Sequence, residues 1–200
     1  MGDAFNYVPF AAAAFAIPQF VPQIVKLRAT NDTSGVSWSW ATLTSANNAA
    51  WFVYFMLSGY WTALVPASSA TLLAATLSLL LARRGCASWR AGGWIIAWMA
   101  LLAAAFLMAG RAGLGTLLTT AFILQVIPSL ATAFRTARPS GISAGTWLLI
   151  LGELSCWTIF GLYELDPRLI TLGLTGVTAS VLMLARLGYA NRLHAPVAVR

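Results

Sequence analysis

Seven long apolar runs leave this chain few ways to fold. They fall at about 6–27, 38–58, 62–82, 91–110, 114–134, 145–163 and 168–187, each about 20 residues long, with connections of about ten residues or fewer. A helix of that length crosses a hydrocarbon layer of roughly 30 Å, and in such a layer only helices and closed barrels satisfy their backbone polar groups. Scarcity of charge argues against a soluble fold: 60% of the residues are hydrophobic and 8% charged, too few to cover a water-facing surface. The expectation is an all-α integral membrane protein of seven transmembrane helices, with no soluble catalytic or binding domain. The first run is read as a crossing and not as a cleavable signal peptide. It opens with Asp3 where a signal carries basic residues, and it contains Pro9, Pro18 and Pro22.

The formal net charge of +7 is distributed asymmetrically over these runs. With the N-terminus on one side, the opposite side receives Lys26, Arg28, Arg83, Arg84, Arg90, Arg135, Arg138, Arg186, Arg192 and Arg200, and the N-terminal side only Arg111 and Arg168. Basic loops stay cytoplasmic, so the N-terminus is expected outside and the C-terminus in the cytoplasm of a plasma (inner) membrane. These cations stand singly or in pairs without an aromatic-flanked basic face, which argues against nucleic acid and suits anionic lipid headgroups. Trp38, Trp61, Trp89 and Trp94 fall near run ends, where indoles anchor at the interface. Cys86 and Cys156 have no metal-site spacing and are expected as free thiols.

The chain repeats itself at an offset of 106 residues. Gln19 then meets Gln125, Pro22 meets Pro128, Thr30 meets Thr136, Ser34-Gly35 with Ser37 meets Ser140-Gly141 with Ser143, and Trp51 meets Trp157. Three runs precede the central one and three follow it, so the expected architecture is 3+1+3. It comprises a three-helix repeat over 1–87, a linker helix over 88–112, a second repeat over 113–190 and a cytoplasmic tail over 191–200. An odd number of crossings in each unit, joined by one more, makes the repeats parallel, and a substrate path can then run between them. Gly92, Gly93, Gly110, Gly113 and Gly115 bracket the linker, whose alanine- and leucine-rich interior reads as a packing surface.

The motifs Pro22-Gln23, Ser34-Gly35-Val36-Ser37 and Trp51-Phe-Val-Tyr54, repeated as Pro128-Ser129, Ser140-Gly141-Ile142-Ser143 and Trp157-Thr-Ile-Phe160, resemble those of the SWEET and PQ-loop (MtN3/saliva) transporters. The resemblance covers about residues 10–187. It implies alternating access by rocking of the two repeats and, in the sugar-transporting branch, a pocket walled by the tryptophans and by the residues four positions before them. Those positions are Asn47, Trp51, Glu153 and Trp157. The resemblance also implies an asparagine about sixteen residues after each tryptophan, where this chain has Ala67 and Gly173.

Proline removes a backbone donor, so Pro22 and Pro128, with Pro18 in the first copy only, are candidate hinges. Gln23 and Ser129, which follow them, are candidate gate residues of unequal reach. Glu153 is the one acidic residue inside any run. Lipid exposure of its charge would be costly, so it must face a cavity, pair with a polar partner or carry a proton. Its counterpart at the repeat offset is Asn47, and both stand one turn before a tryptophan on the same helix face.

The expected function is transport of a small polar solute, a sugar by the resemblance. Missing amides at Ala67 and Gly173, and the carboxyl of Glu153, keep open a proton-coupled amino-acid or small-amine transporter. A non-transporting seven-helix receptor or scaffold is a further alternative. No enzyme is expected, because His194 is the lone histidine and no nucleophile or carboxylate pair has a partner at useful spacing. No nucleotide motif or metal-ligand cluster appears, so no cofactor is expected, and a homo-oligomer is left open.

Overall fold

A computed structural model describes residues 2–30, 33, 37–135 and 143–193. A 3-10 segment, Gly2–Tyr7, leads into α1 (Val8–Thr30), followed by α2 (Trp38–Ser58), a 3-10 turn (Trp61–Ala63) and α3 (Leu64–Arg83). Then come α4 (Trp89–Arg135), α5 (Ala144–Tyr163) and α6 (Pro167–Leu193), with no strand among the described residues. Five stretches are long and apolar enough to cross a membrane: Ala4–Val21, Trp61–Arg83, Trp89–Ile127, Ala144–Tyr163 and Pro167–Ala190. α2 is long enough, with 21 residues, but Thr42, Thr44, Ser45, Asn47 and Asn48 dilute its apolar character.

α4 is not one rod. Ala109 (φ −135°, ψ 17°) and Gly110 (φ 58°, ψ −149°) leave helical geometry, and the second of these conformations is open only to glycine. Trp94, Ile95 and Trp98 before the break line the same cavity as Leu117, Thr120, Ala121 and Leu124 beyond it. A straight helix at 1.5 Å per residue would hold Trp94 and Leu124 about 45 Å apart, so the two arms fold back side by side. Gly113 sits in the crook, where a Cβ would collide with the Ala105 carbonyl.

Ser37 and Ser143 begin α2 and α5 in the same way. Each has extended backbone (φ −86°, ψ 122° and φ −84°, ψ 118°), and each hydroxyl accepts the backbone N–H three residues on, from Trp40 and Thr146. α2 ends at Gly59 in left-handed geometry (φ 76°), returning the chain towards α3.

α1 packs on α3 and α5, α2 on α3 and α4, and α6 on α5 and α4. The α5–α6 contact is close because Gly173 and Gly176 face it. A Cβ on the first would meet Thr158 and the Leu154 carbonyl, and on the second the Leu154 side chain. Small residues admit such backbone approach in membrane helices, where packing drives association. One buried cluster joins all six α-helices through Ala12, Tyr54, Ala67, Leu118, Trp157 and Leu169. A second, of Phe20, Ile24, Leu27, Ala41, Leu77 and Leu81, belongs to α1, α2 and α3 alone. Contacts between the chain's two halves therefore concentrate towards the Asp166 end, and the Ser37 end is packed within the first half.

Candidate functional site: a cavity between the two halves

A cavity of about 210 Å³ opens between α2, α3, the second arm of α4, α5 and α6. Its walls include Asn47, Trp51 and Ala67 from the first half and Glu153, Trp157 and Gln125 from the second. Asn47 and Glu153, and Trp51 and Trp157, are thus brought to one space from matching helix positions. Gly173 is not in the wall. It is consumed by the α5–α6 contact, and its neighbour Leu172 meets the cavity instead. Compared with drug-sized pockets of roughly 300–1,000 Å³, the space suits a small solute.

Two hydrogen bonds set the polar groups. Gln19 Nε2 on α1 donates to Glu153 Oε2 at 2.8 Å, giving the carboxyl a partner. Trp98 Nε1, on the first arm of α4, donates to Asn47 Oδ1 at 2.7 Å. The linker, expected as a packing surface, thus reaches the site. Trp98 also walls a lateral apolar cavity of about 530 Å³ between α2 and the two arms of α4, and Gln125 lines both cavities. Gln19 and Gln125 stood out in the repeat alignment, but their role required knowing which helices cross.

Towards the Asp166 end the cavity is roofed by aromatic rings. Phe55 stacks on Trp157 (centroids 5.1 Å apart, planes at 12°) and on Trp51 (5.6 Å, 25°), so each indole gives a face to Phe55. At the repeat offset Phe55 corresponds to Gly161, where a Cβ would collide with Leu169 and the Ile170 backbone, so this position admits α6 and supplies no second ring. Above the roof, Tyr54 donates to Asp166 Oδ2, and Tyr60 donates to the same oxygen at 3.3 Å. Asp166 Oδ1 accepts the Arg168 backbone N–H at 3.0 Å, capping α6 ahead of Pro167. Asp166 is buried, 5% exposed, although its sequence position reads as a loop acid. Tyr60, outside the apolar stretches, has its hydroxyl pushed up to about 12, first by burial and then by the Asp166 charge, so it remains a donor. Arg168 Nε donates to the Ala112 carbonyl (3.1 Å) and to Thr116 Oγ1 (3.2 Å), pinning α6 to the second arm of α4.

The candidate hinge and gate positions give less. α1 runs as one helix through Pro18 and Pro22, and Pro18 is exposed. The backbone at Pro128 is helical, the break in α4 lying at Ala109 and Gly110. The side chains of Pro22, Gln23, Pro128 and Ser129 lie outside the described residues, as do Ser34, Gly35, Ser140 and Gly141. Cys86 and Cys156 are free thiols, and no metal-holding cluster of His, Cys, Asp or Glu occurs among the described residues. Comparison with known protein families finds no match, and comparison with curated proteins finds none either.

Proposed function

We propose that this chain is a seven-span transporter of the SWEET and PQ-loop kind, moving a small polar solute through the space between two three-helix repeats. The observation that carries the reading is the cavity itself, walled by two residue pairs that stand 106 positions apart. The fold-back of α4 supports the crossing number: its two arms, with α2, raise the five apolar stretches to seven crossings in a 3+1+3 order. The distribution of basic residues supports an external N-terminus and a cytoplasmic C-terminus in a plasma membrane.

In the state described, the roof and the two tyrosine bonds to Asp166 tie the first half to the second and close the outer end. Opening that end requires these bonds to break while the opposite end closes, which is alternating access. Hydrogen bonds to a charged group contribute roughly 1.5–3 kcal/mol, so each of the two can bias the states by about one or two powers of ten. The solute implied by the resemblance is a sugar, for which the cavity offers amide and carboxyl groups at its wall. A second reading, a proton-linked amino acid or small amine, is favoured by Glu153, which brings an acidic group to a wall without a basic partner among the described residues.

Reconstitution in liposomes separates these readings. Counterflow of D-glucose and of 1,4-diaminobutane, with and without a pH gradient, is measured for wild type and Glu153→Gln. The sugar reading expects glucose exchange that is little changed in the variant and indifferent to the gradient. Gradient-driven accumulation of the diamine, lost in Glu153→Gln, would establish the amine reading instead. Failure to exchange glucose, the diamine or any amino acid tested beside them would leave a receptor or scaffold.

A further inference from the structure

We infer that Trp98, on the linker arm of α4, is a positioning residue of the solute site that fixes which edge of Asn47 the solute meets. This rests on the transport reading. An indole N–H can only donate, so the Asn47 atom 2.7 Å from Trp98 Nε1 must be the carbonyl oxygen, and the amide NH2 is turned the other way. Asn47 lines the cavity, and its NH2 has no hydrogen-bond partner among the described residues. Without Trp98 the amide could present either edge. With it, the cavity presents a donor at Asn47. The Glu153 carboxyl at the same wall is already engaged, by Gln19 at Oε2 and by the Trp157 side chain.

The arrangement breaks the repeat symmetry in a specific way. Gln19 holds Glu153, and the same offset makes Gln125 the counterpart that would hold Asn47. Trp98 has taken that role, and Gln125 makes no hydrogen bond among the described residues while facing the cavity. The linker thus contributes a functional contact that neither repeat contains, and it releases Gln125 to the solute. The solute class this suits carries a hydrogen-bond acceptor towards the Asn47 NH2.

The experiment uses full-length protein labelled with 15N-tryptophan in nanodiscs, together with uptake of D-glucose and 1,4-diaminobutane in liposomes. The indole resonance that disappears in Trp98→Phe is expected to move in Asn47→Ala. For whichever probe the wild type carries, Trp98→Phe is expected to raise KM about three- to tenfold, with the maximal exchange rate kept. In the Asn47→Ala background the same substitution should add nothing. An indole resonance indifferent to Asn47→Ala, a KM unchanged in Trp98→Phe, or additive losses in the double variant would each overturn the assignment. Absence of uptake by the wild type of glucose, the diamine and amino acids alike would end the transport reading, and the positioning of Asn47 would then stand or fall on the indole resonance alone.

Discussion

Asp166 divides its two oxygens between a helix cap and a lock, and the two roles can be separated by substitution. Asparagine still caps α6 through its one oxygen, but it turns an uncharged NH2 donor, in place of the carboxylate acceptor, towards the Tyr54 and Tyr60 hydroxyls. Asp166→Asn is therefore expected to fold and to open the outer end more often. The check is a cysteine at Ala67, in a background with Cys86 and Cys156 replaced by serine, whose reaction with an impermeant maleimide from the Asp166 side should speed up by about tenfold. Unchanged labelling would mean that the tyrosine bonds do not hold the closed state. Asp166→Ala removes the cap too and should cost a further 1 kcal/mol or about that in stability. Next to it, Glu164 is held above the ordinary carboxylate range, by burial first and by the Asp166 charge second. Its ionisation therefore opposes folding: the favourable contribution is full below the ordinary carboxylate value and lost as the pH rises through the raised one. Glu164→Gln should melt above wild type at pH values of about 7, and the difference should shrink as the pH falls towards about 4. A difference that widens on acidification would contradict the assigned shift.

The outlines of α2, α3, α5 and α6 follow the apolar runs read from the sequence, because length and hydrophobicity are local properties. The caps at Ser37 and Ser143 are local too, each a hydroxyl accepting the N–H three residues on. Gly173 shows where such reading ends: alignment matches it to a pocket residue, but its helix is rotated so that a hydrogen-sized side chain is spent on α5. Trp98 and Gln19 could not be assigned either, since nothing near them in sequence says which helix lies opposite. Restoring the amide with Gly173→Asn is expected to destabilise the α5–α6 pair by roughly 1–3 kcal/mol, read as a lower melting temperature in detergent, without improving sugar exchange. Gly110→Ala forces a side chain into backbone geometry open only to glycine and should cost a similar amount, loosening the fold-back of α4. Pro22→Ala and Pro128→Ala address the hinges: insertion should survive and exchange should slow, and unaltered exchange in both would make these prolines static.

For the molecule as a whole, the orientation read from the basic residues predicts that a cysteine near Asn6 reacts with an impermeant reagent added to intact cells. One placed after His194 should not react until the membrane is opened. Equal labelling of both from outside would remove the odd number of crossings. The arrangement of partners also bears on how the chain is made. α2 is less apolar than the other crossings, and its Asn47 must await a donor that emerges from the ribosome 51 residues later, on the linker. Glu153, by contrast, arrives to find Gln19 already synthesised, 134 residues earlier. Biogenesis therefore has two windows of unequal risk. In the first, α2 must be sheltered by the insertion machinery or by α3 until Trp98 appears, and slowing translation between them should increase degradation. In the second, delay costs little, because the partner is waiting.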